Sequence, residues 1–275
     1  MSVPAGARRV REAFARAGEA GRPALATYVM AGYPDEPRGL AAADVALDAG
    51  ADLLEIGIPF SDPVADGPTI AAAGHAAVAA GGGVETALRT VRALRDRGRT
   101  QPILAMGYLN PLVARGTGRT LRELAAAGVD GLILPDLPAG EDRLLERLAA
   151  DHGLGMAFLV TPNTSPERLE QAVRSSTAFL YVVPLYGVTG MRERVAETAG
   201  PLLERVRATV AGRLPVGVGF GVSRPEHVRE LAASTDGIIV GSAVLAALDE
   251  GGPRRVGKLV GSLASATRLG RSPSQ

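Results

Sequence analysis

Short apolar runs alternate along the chain with segments of Ala, Leu, Arg and Glu whose hydrophobic positions recur at helical spacing. Eight apolar runs read as strands, at 24–31, 52–58, 103–106, 131–134, 155–160, 179–183, 215–218 and 237–240. Helical patterns fall between them at 40–48, 70–80, 84–97, 121–126, 142–150, 166–174, 201–211 and 226–233, and a last pair follows at 243–248 and 254–267. An amphipathic segment at 10–17 precedes the first strand. Strand–helix units in strict alternation, with no break in composition, predict a single (β/α)8 TIM barrel of the α/β class with an extra N-terminal helix. The expected domain covers 1–270, with a flexible tail at 271–275. An open doubly wound sheet is the competing reading, but it calls for a phosphate loop after the first strand, where this chain has "GYPDEP". Barrel enzymes carry their chemistry on the loops after the C-terminal ends of the strands.

The second run and the loop after it break the apolar pattern. "LLEIGIPFSDPVADGPTI" (53–70) puts Glu55 inside a strand and Ser61, Asp62 and Asp66 in the segment that follows. Side chains alternate along a strand, so if Leu54 and Ile56 pack under helices, Glu55 points into the barrel. A poorly solvated carboxyl there has a raised pKa and can exchange protons near neutral pH. The other reading of Glu55 is a carboxylate buried in an ion pair with an arginine. Prolines at 59, 63 and 68 stiffen the loop, so that Asp66 can be presented with little ordering cost. Asp62 reads as a turn residue.

A second constellation follows the sixth, seventh and eighth runs, in "YGVTG" (186–190), "GVGFGVS" (217–223) and "IIVGSAV" (238–244). Glycines after the last two strands let backbone N–H groups approach an anion, and a short helix opening at "GSAV" would aim its N-terminus there. A phosphate site of this kind needs no lysine.

Composition then narrows the chemistry. The chain has 275 residues, 46% hydrophobic but only 4% aromatic and without Trp, so Ala, Val and Leu must fill the core. Net charge is +1, and no basic patch interleaved with aromatics appears, which argues against nucleic acid. Cysteine is absent, which removes disulfides and thiolate chemistry. The opening "MSVPAGARRVREAF" lacks the apolar core of a secretory signal, and no run reaches the roughly 20 apolar residues of a membrane helix; a cytoplasmic chain without membrane contact is expected. The single lysine, Lys258, lies in the last helix, away from any strand end where a Schiff base would form. His75, His152 and His227 are scattered and read as surface residues, not as clustered metal ligands. Acid–base chemistry by carboxylates without cofactor or metal remains.

The strand-2 stretch resembles the signature of the tryptophan synthase alpha chain family. Along the chain, "TYVMAGYPD" is similar to that family's first strand, "ILAMGYLNP" to its third and "GLILPDLP" to its fourth. "YGVTG" is similar to its mobile sixth loop, and "GFGVS" with "DGIIVGSAV" to its phosphate loops. The resemblance implies cleavage of indole-3-glycerol phosphate into indole and glyceraldehyde 3-phosphate, with the indole passing to a beta chain in an α2β2 complex. Pyridoxal phosphate is expected only in that partner. By position, Glu55 would be the acid/base that protonates C3 of the indole, and Asp66 would accept a hydrogen bond from the indole N–H. Tyr28, Met106 and Tyr108 match the indole pocket, and Tyr181 matches a tyrosine near the substrate. Thr189 matches the sixth-loop threonine that meets the Asp66 loop on closure. Gly190, Gly219, Phe220, Gly221, Gly241 and Ser242 match phosphate-site positions.

One stretch departs from that pattern. The family usually reads Y-x-x-S-x-x-G-V-T-G at the sixth loop, and this chain has "YVVPLYGVTG", with Pro184 at the usual serine and Leu185–Tyr186 following. Neutral drift accounts for this, or else the chain is a stand-alone lyase that releases free indole without beta-chain control. A catalytically weak regulatory partner of a beta chain is the reading of another class, and the presence of both Glu55 and Asp66 argues against it.

Overall fold

The computed structural model describes residues 3–184, 195–219 and 221–268. The chain starts with α1 (Ala5–Glu19), β1 (Ala24–Met30), α2 (Glu36–Asp48), β2 (Leu53–Gly57), α3 (Pro68–Ala79) and α4 (Val84–Asp96). It continues through β3 (Ile103–Met106), α5 (Leu109–Ala114), α6 (Thr117–Ala127), β4 (Gly131–Ile133), α7 (Arg143–Asp151), β5 (Gly155–Met156) and β6 (Phe158–Val160). The last part holds α8 (Pro166–Ser175), β7 (Leu180–Val182), α9 (Val195–Val210), β8 (Val216–Gly219), α10 (Pro225–Leu231), β9 (Gly237–Val240) and α11 (Ser242–Arg268).

The strands form one parallel sheet in the order β5-β4-β3-β2-β1-β9-β8-β7-β6. Its two ends, β5 and β6, are halves of the fifth run, so the expected eight strands become nine. The halves face opposite neighbours: β5 pairs with β4 and β6 with β7. Between them Ala157 donates its N–H to Leu132 O at 3.0 Å, on the β4 side. The ladder changes partner at this residue, which is how a staggered parallel sheet closes into a barrel.

Two packed layers result. Leu54 and Ile56 belong to the layer between strands and helices, whereas Leu53, Leu104, Ile133, Phe179 and Ile239 fill the barrel interior. The N-terminal helix covers one end. Its buried Val10, Ala13, Phe14 and Ala17 recur at helical spacing, and the Phe14 ring lies 5.3 Å from that of Phe179. Gly237 makes room for it, since a Cβ there would come within 2.4 Å of the Phe14 ring. A network ties the same helix down: Asp130, almost buried, takes Arg9 and Arg95 at 2.7 Å each.

Several helix limits differ from the sequence reading. α2 starts at Glu36, not at 40, because Asp35 caps it by accepting the Arg38 N–H. α5, of six residues, shows no full helical period, and its first N–H, that of Leu109, is held by Asp136 at 2.9 Å. α9 extends six residues upstream of Pro201, which gives up one ladder bond. The final pair of helices is found as α11, broken at Gly251 and Gly252, with Pro253 beyond. Among the histidines, His75 is exposed but His227 is buried, a correction to the surface reading: α10 turns it inward, and its Nδ1 takes the Ser223 N–H at 3.4 Å. No helix among the described residues is long and apolar enough to cross a membrane.

Candidate active site

Glu55 sits midway along β2, between Tyr28 of β1 and Leu104 of β3 in the parallel register. Alternation with Leu54 and Ile56 sends its side chain into the barrel interior, where it is 1% exposed. Neither carboxyl oxygen has a hydrogen-bond partner among the described residues, which removes the ion-pair reading. Burial pushes its pKa to about 8, so the carboxyl keeps its proton at neutral pH. Tyr28 and Tyr181, both buried, share its surroundings: burial raises their pKa first, and the Glu55 charge raises each further.

The loop after β2 is stiff for local reasons. Besides its prolines, Val64 N–H donates to Asp62 O at 2.9 Å and Asp66 N–H to Pro63 O at 3.1 Å. Asp62 is exposed and accepts the Ser61 hydroxyl. Asp66 is half-buried, and burial pushes its pKa to about 6 although the Tyr108 hydroxyl, donating to it, pulls the other way. The same Tyr108 oxygen accepts the Ala65 N–H at 3.1 Å, so one phenol fixes both the loop backbone and its carboxylate. In Tyr108→Phe the Asp66 pKa is expected to rise by about one unit, the worth of one charge-assisted hydrogen bond. A carboxyl-carbon NMR titration of Asp66 reads this directly, and an unchanged midpoint would remove Tyr108 from that role.

Tyr28, Met106, Tyr108 and Asp66 line one cleft, together with Met30, Ile58 and Phe60. The Phe60 and Tyr108 rings pack against each other on its wall, with centroids 5.4 Å apart. Its free volume is only about 10 Å³, so an aromatic ring enters only as these side chains move apart. Glu55 and Tyr181 are not on this wall; Tyr28 stands between, on the cleft and in register with Glu55. Met30, Ile58 and Phe60 were not singled out from the sequence, although Met30 lies two residues beyond Tyr28 on the same strand face and so could have been.

The glycine positions gather at the neighbouring ends of β8 and β9. Gly219 lies under Tyr181, where a Cβ would come 2.3 Å from the phenol oxygen, and Gly221 has a φ of +81°. Gly241 precedes α11 and accepts the Val244 N–H at 2.8 Å, which leaves the Ser242 and Ala243 N–H groups at the helix start outside the helical ladder. A Cβ on Gly241 would lie 3.5 Å from that of Tyr28, so this helix start adjoins the cleft. Thr189, Gly190 and Phe220 lie outside the described residues, as do Leu185 and Tyr186; Pro184 is described and buried.

Residues 14–266 match the family model described as tryptophan synthase alpha chain. The chain belongs to the tryptophan synthase alpha chain family. It is 43% identical to the tryptophan synthase alpha chain of Roseiflexus castenholzii, over 95% of this chain and 98% of that one. Its identity to the Deinococcus radiodurans protein of the same name is 44%, over 96% of each. A solved structure of Mycobacterium tuberculosis tryptophan synthase superposes with a TM-score of 0.88 at 40% identity, covering 95% of this chain and 99% of that chain. In this tryptophan synthase alpha chain the cleft carries one carboxyl, Asp66, among aromatic side chains, with Glu55 behind Tyr28 and with the start of α11 adjoining it.

Proposed function

We propose that this chain, a lyase of L-tryptophan biosynthesis, cleaves indole-3-glycerol phosphate to indole and glyceraldehyde 3-phosphate through Glu55 and Asp66, without a cofactor of its own. What carries the reading is the contrast between two carboxyls of one strand–loop unit: a buried Glu55, without a partner among the described residues, that holds its proton to about pH 8, and an Asp66 that ionises near 6. Environments that separate two pKa values in this way assign an acid and an anion. Protonated Glu55 gives its proton to C3 of the indole ring. The C3–side-chain bond then breaks, the side-chain hydroxyl loses its proton as the aldehyde forms, and the carboxylate of Glu55 takes that proton up. Donor and acceptor thus return to their starting states. Ionised Asp66 accepts the indole N–H and offsets the positive charge that develops on the ring when C3 is protonated.

Tyr28, Met106 and Tyr108 hold the ring, with Tyr181 alongside Glu55. By family position Gly190, Gly219, Phe220, Gly221, Gly241 and Ser242 serve the phosphate, and Thr189 meets the Asp66 loop on closure. The chain acts as one barrel domain over 1–270, in the cytoplasm, with a beta chain carrying pyridoxal phosphate as partner in an α2β2 complex. The stand-alone alternative rests on the Pro184–Tyr186 departure alone.

One experiment tests the reading: indole release from indole-3-glycerol phosphate, followed across pH with the isolated chain and again with a beta chain added. The value of kcat/KM is expected to rise as Asp66 ionises near pH 6 and to fall as Glu55 ionises near pH 8. A profile flat from 5 to 9 would remove both roles. Strong activation by the beta chain would sink the stand-alone alternative.

A further inference from the structure

The barrel end away from these loops carries a second cleft, of about 470 Å³, within the size range of small-molecule sites. α1 forms one wall; the turn leading into β8 and the residue preceding β9 form the other. Phe14, Leu214 and Pro215 give it an apolar lining, and three arginines stand over that lining. Two of the three are engaged. Arg22 holds Asp52 through both terminal nitrogens, at 2.7 and 2.8 Å, and Arg213 donates to Val210 O at 3.0 Å with Glu170 3.4 Å away.

Arg11 differs from them. Its Nε donates to Thr177 O at 2.7 Å, but its terminal nitrogens meet no acceptor, and no carboxylate lies within ion-pair distance of it among the described residues. It is half-buried, and burial lowers its pKa with no neighbouring anion to offset the cost. The acid on the wall, Asp236, already accepts the Val216 N–H at 2.9 Å and lies 3.3 Å from Arg207. The cleft therefore presents one uncompensated guanidinium fork above an apolar surface. Such a fork matches a carboxylate held through two parallel hydrogen bonds.

We propose that this cleft binds a small carboxylate with an apolar body, the carboxylate on Arg11 and the body on Phe14, Leu214 and Pro215. Two sources share that chemistry: a plain organic acid, or an apolar amino acid whose ammonium faces Asp236. Titration of the labelled full chain with 3-phenylpropionate, L-phenylalanine and inorganic phosphate, read by backbone amide NMR, tests it. Saturable shifts at Gly18 and Gly212 are expected with at least one of the two carboxylates. Tighter binding of phenylalanine assigns the zwitterion, and tighter binding of phenylpropionate assigns the plain acid.

Arg11→Gln should weaken binding by about tenfold or more. Gly18→Leu blocks the cleft without disturbing α1, because a Cβ on Gly18 meets nothing within 4 Å. That second variant keeps the test alive should Arg11→Gln not fold, and its indole release should stay at the parent rate. The proposal is overturned by the absence of saturable shifts with both carboxylates, by saturation with phosphate alone, or by undiminished binding in Gly18→Leu.

Discussion

Glu55→Gln should release indole from indole-3-glycerol phosphate about 10²–10⁴-fold more slowly than the parent chain, the range that a positioned acid–base group contributes. Glutamine keeps the shape of the side chain and its place in the barrel, but it cannot deliver a proton to C3. Among the described residues, no neighbour can stand in for it. Tyr28 and Tyr181 are held well above the ordinary phenol pKa by burial, so neither is an acid of suitable strength. Asp66, with a pKa of about 6, is largely ionised where the reaction runs. The fold should survive, since no hydrogen bond between Glu55 and the described residues is lost. Stopped assays for indole, alongside circular dichroism of the same samples, separate the two effects; a folded variant with the parent rate would remove Glu55 from the mechanism.

Much of this site was legible because strand alternation is a short-range rule. Leu54 and Ile56 go to the helices, Leu53 to the barrel interior, and Glu55 must follow Leu53. The spacing of Val10, Ala13, Phe14 and Ala17 marked the first helix in the same way. What the pattern could not carry depends on contacts between distant segments. The break at Ala157 follows from closure of the barrel, which no local signal in 155–160 encodes. The burial of His227 depends on how α10 packs, and α5 is too short to show a period. Phe60 reaches the cleft because the proline-rich loop folds back against Tyr108. The start of α2 is a different case. Asp35 and Pro37 have the chemistry of a helix start, but the hydrophobic period that set the sequence reading begins only at Leu40. Glu55's lack of a partner was also out of reach, because composition does not say which arginine comes near.

The same Glu55→Gln variant should be the more stable protein in alkali, by a margin that grows with pH. In the folded chain the Glu55 carboxyl holds its proton to about pH 8, whereas the unfolded chain releases it near 4.5. Between those values the folded state binds more protons than the unfolded one, so each rise in pH costs stability. The contribution of the neutral, buried carboxyl is therefore complete below about pH 4.5 and is lost as pH climbs through 8. A shift of this size corresponds to about 4–5 kcal/mol at most, or on the order of 10 °C in Tm for a domain of this length. Glutamine does not titrate and escapes the loss. Asp66, raised in the same direction, loses its part at lower pH and does so in both proteins, so it cancels in their difference. Melting curves of parent and variant should thus run close at pH 5 and diverge by pH 9, with the variant higher. Curves that stay parallel over that range would mean that Glu55 is not kept protonated by the fold, and a carboxylate already ionised at pH 7 could not be the group that protonates C3.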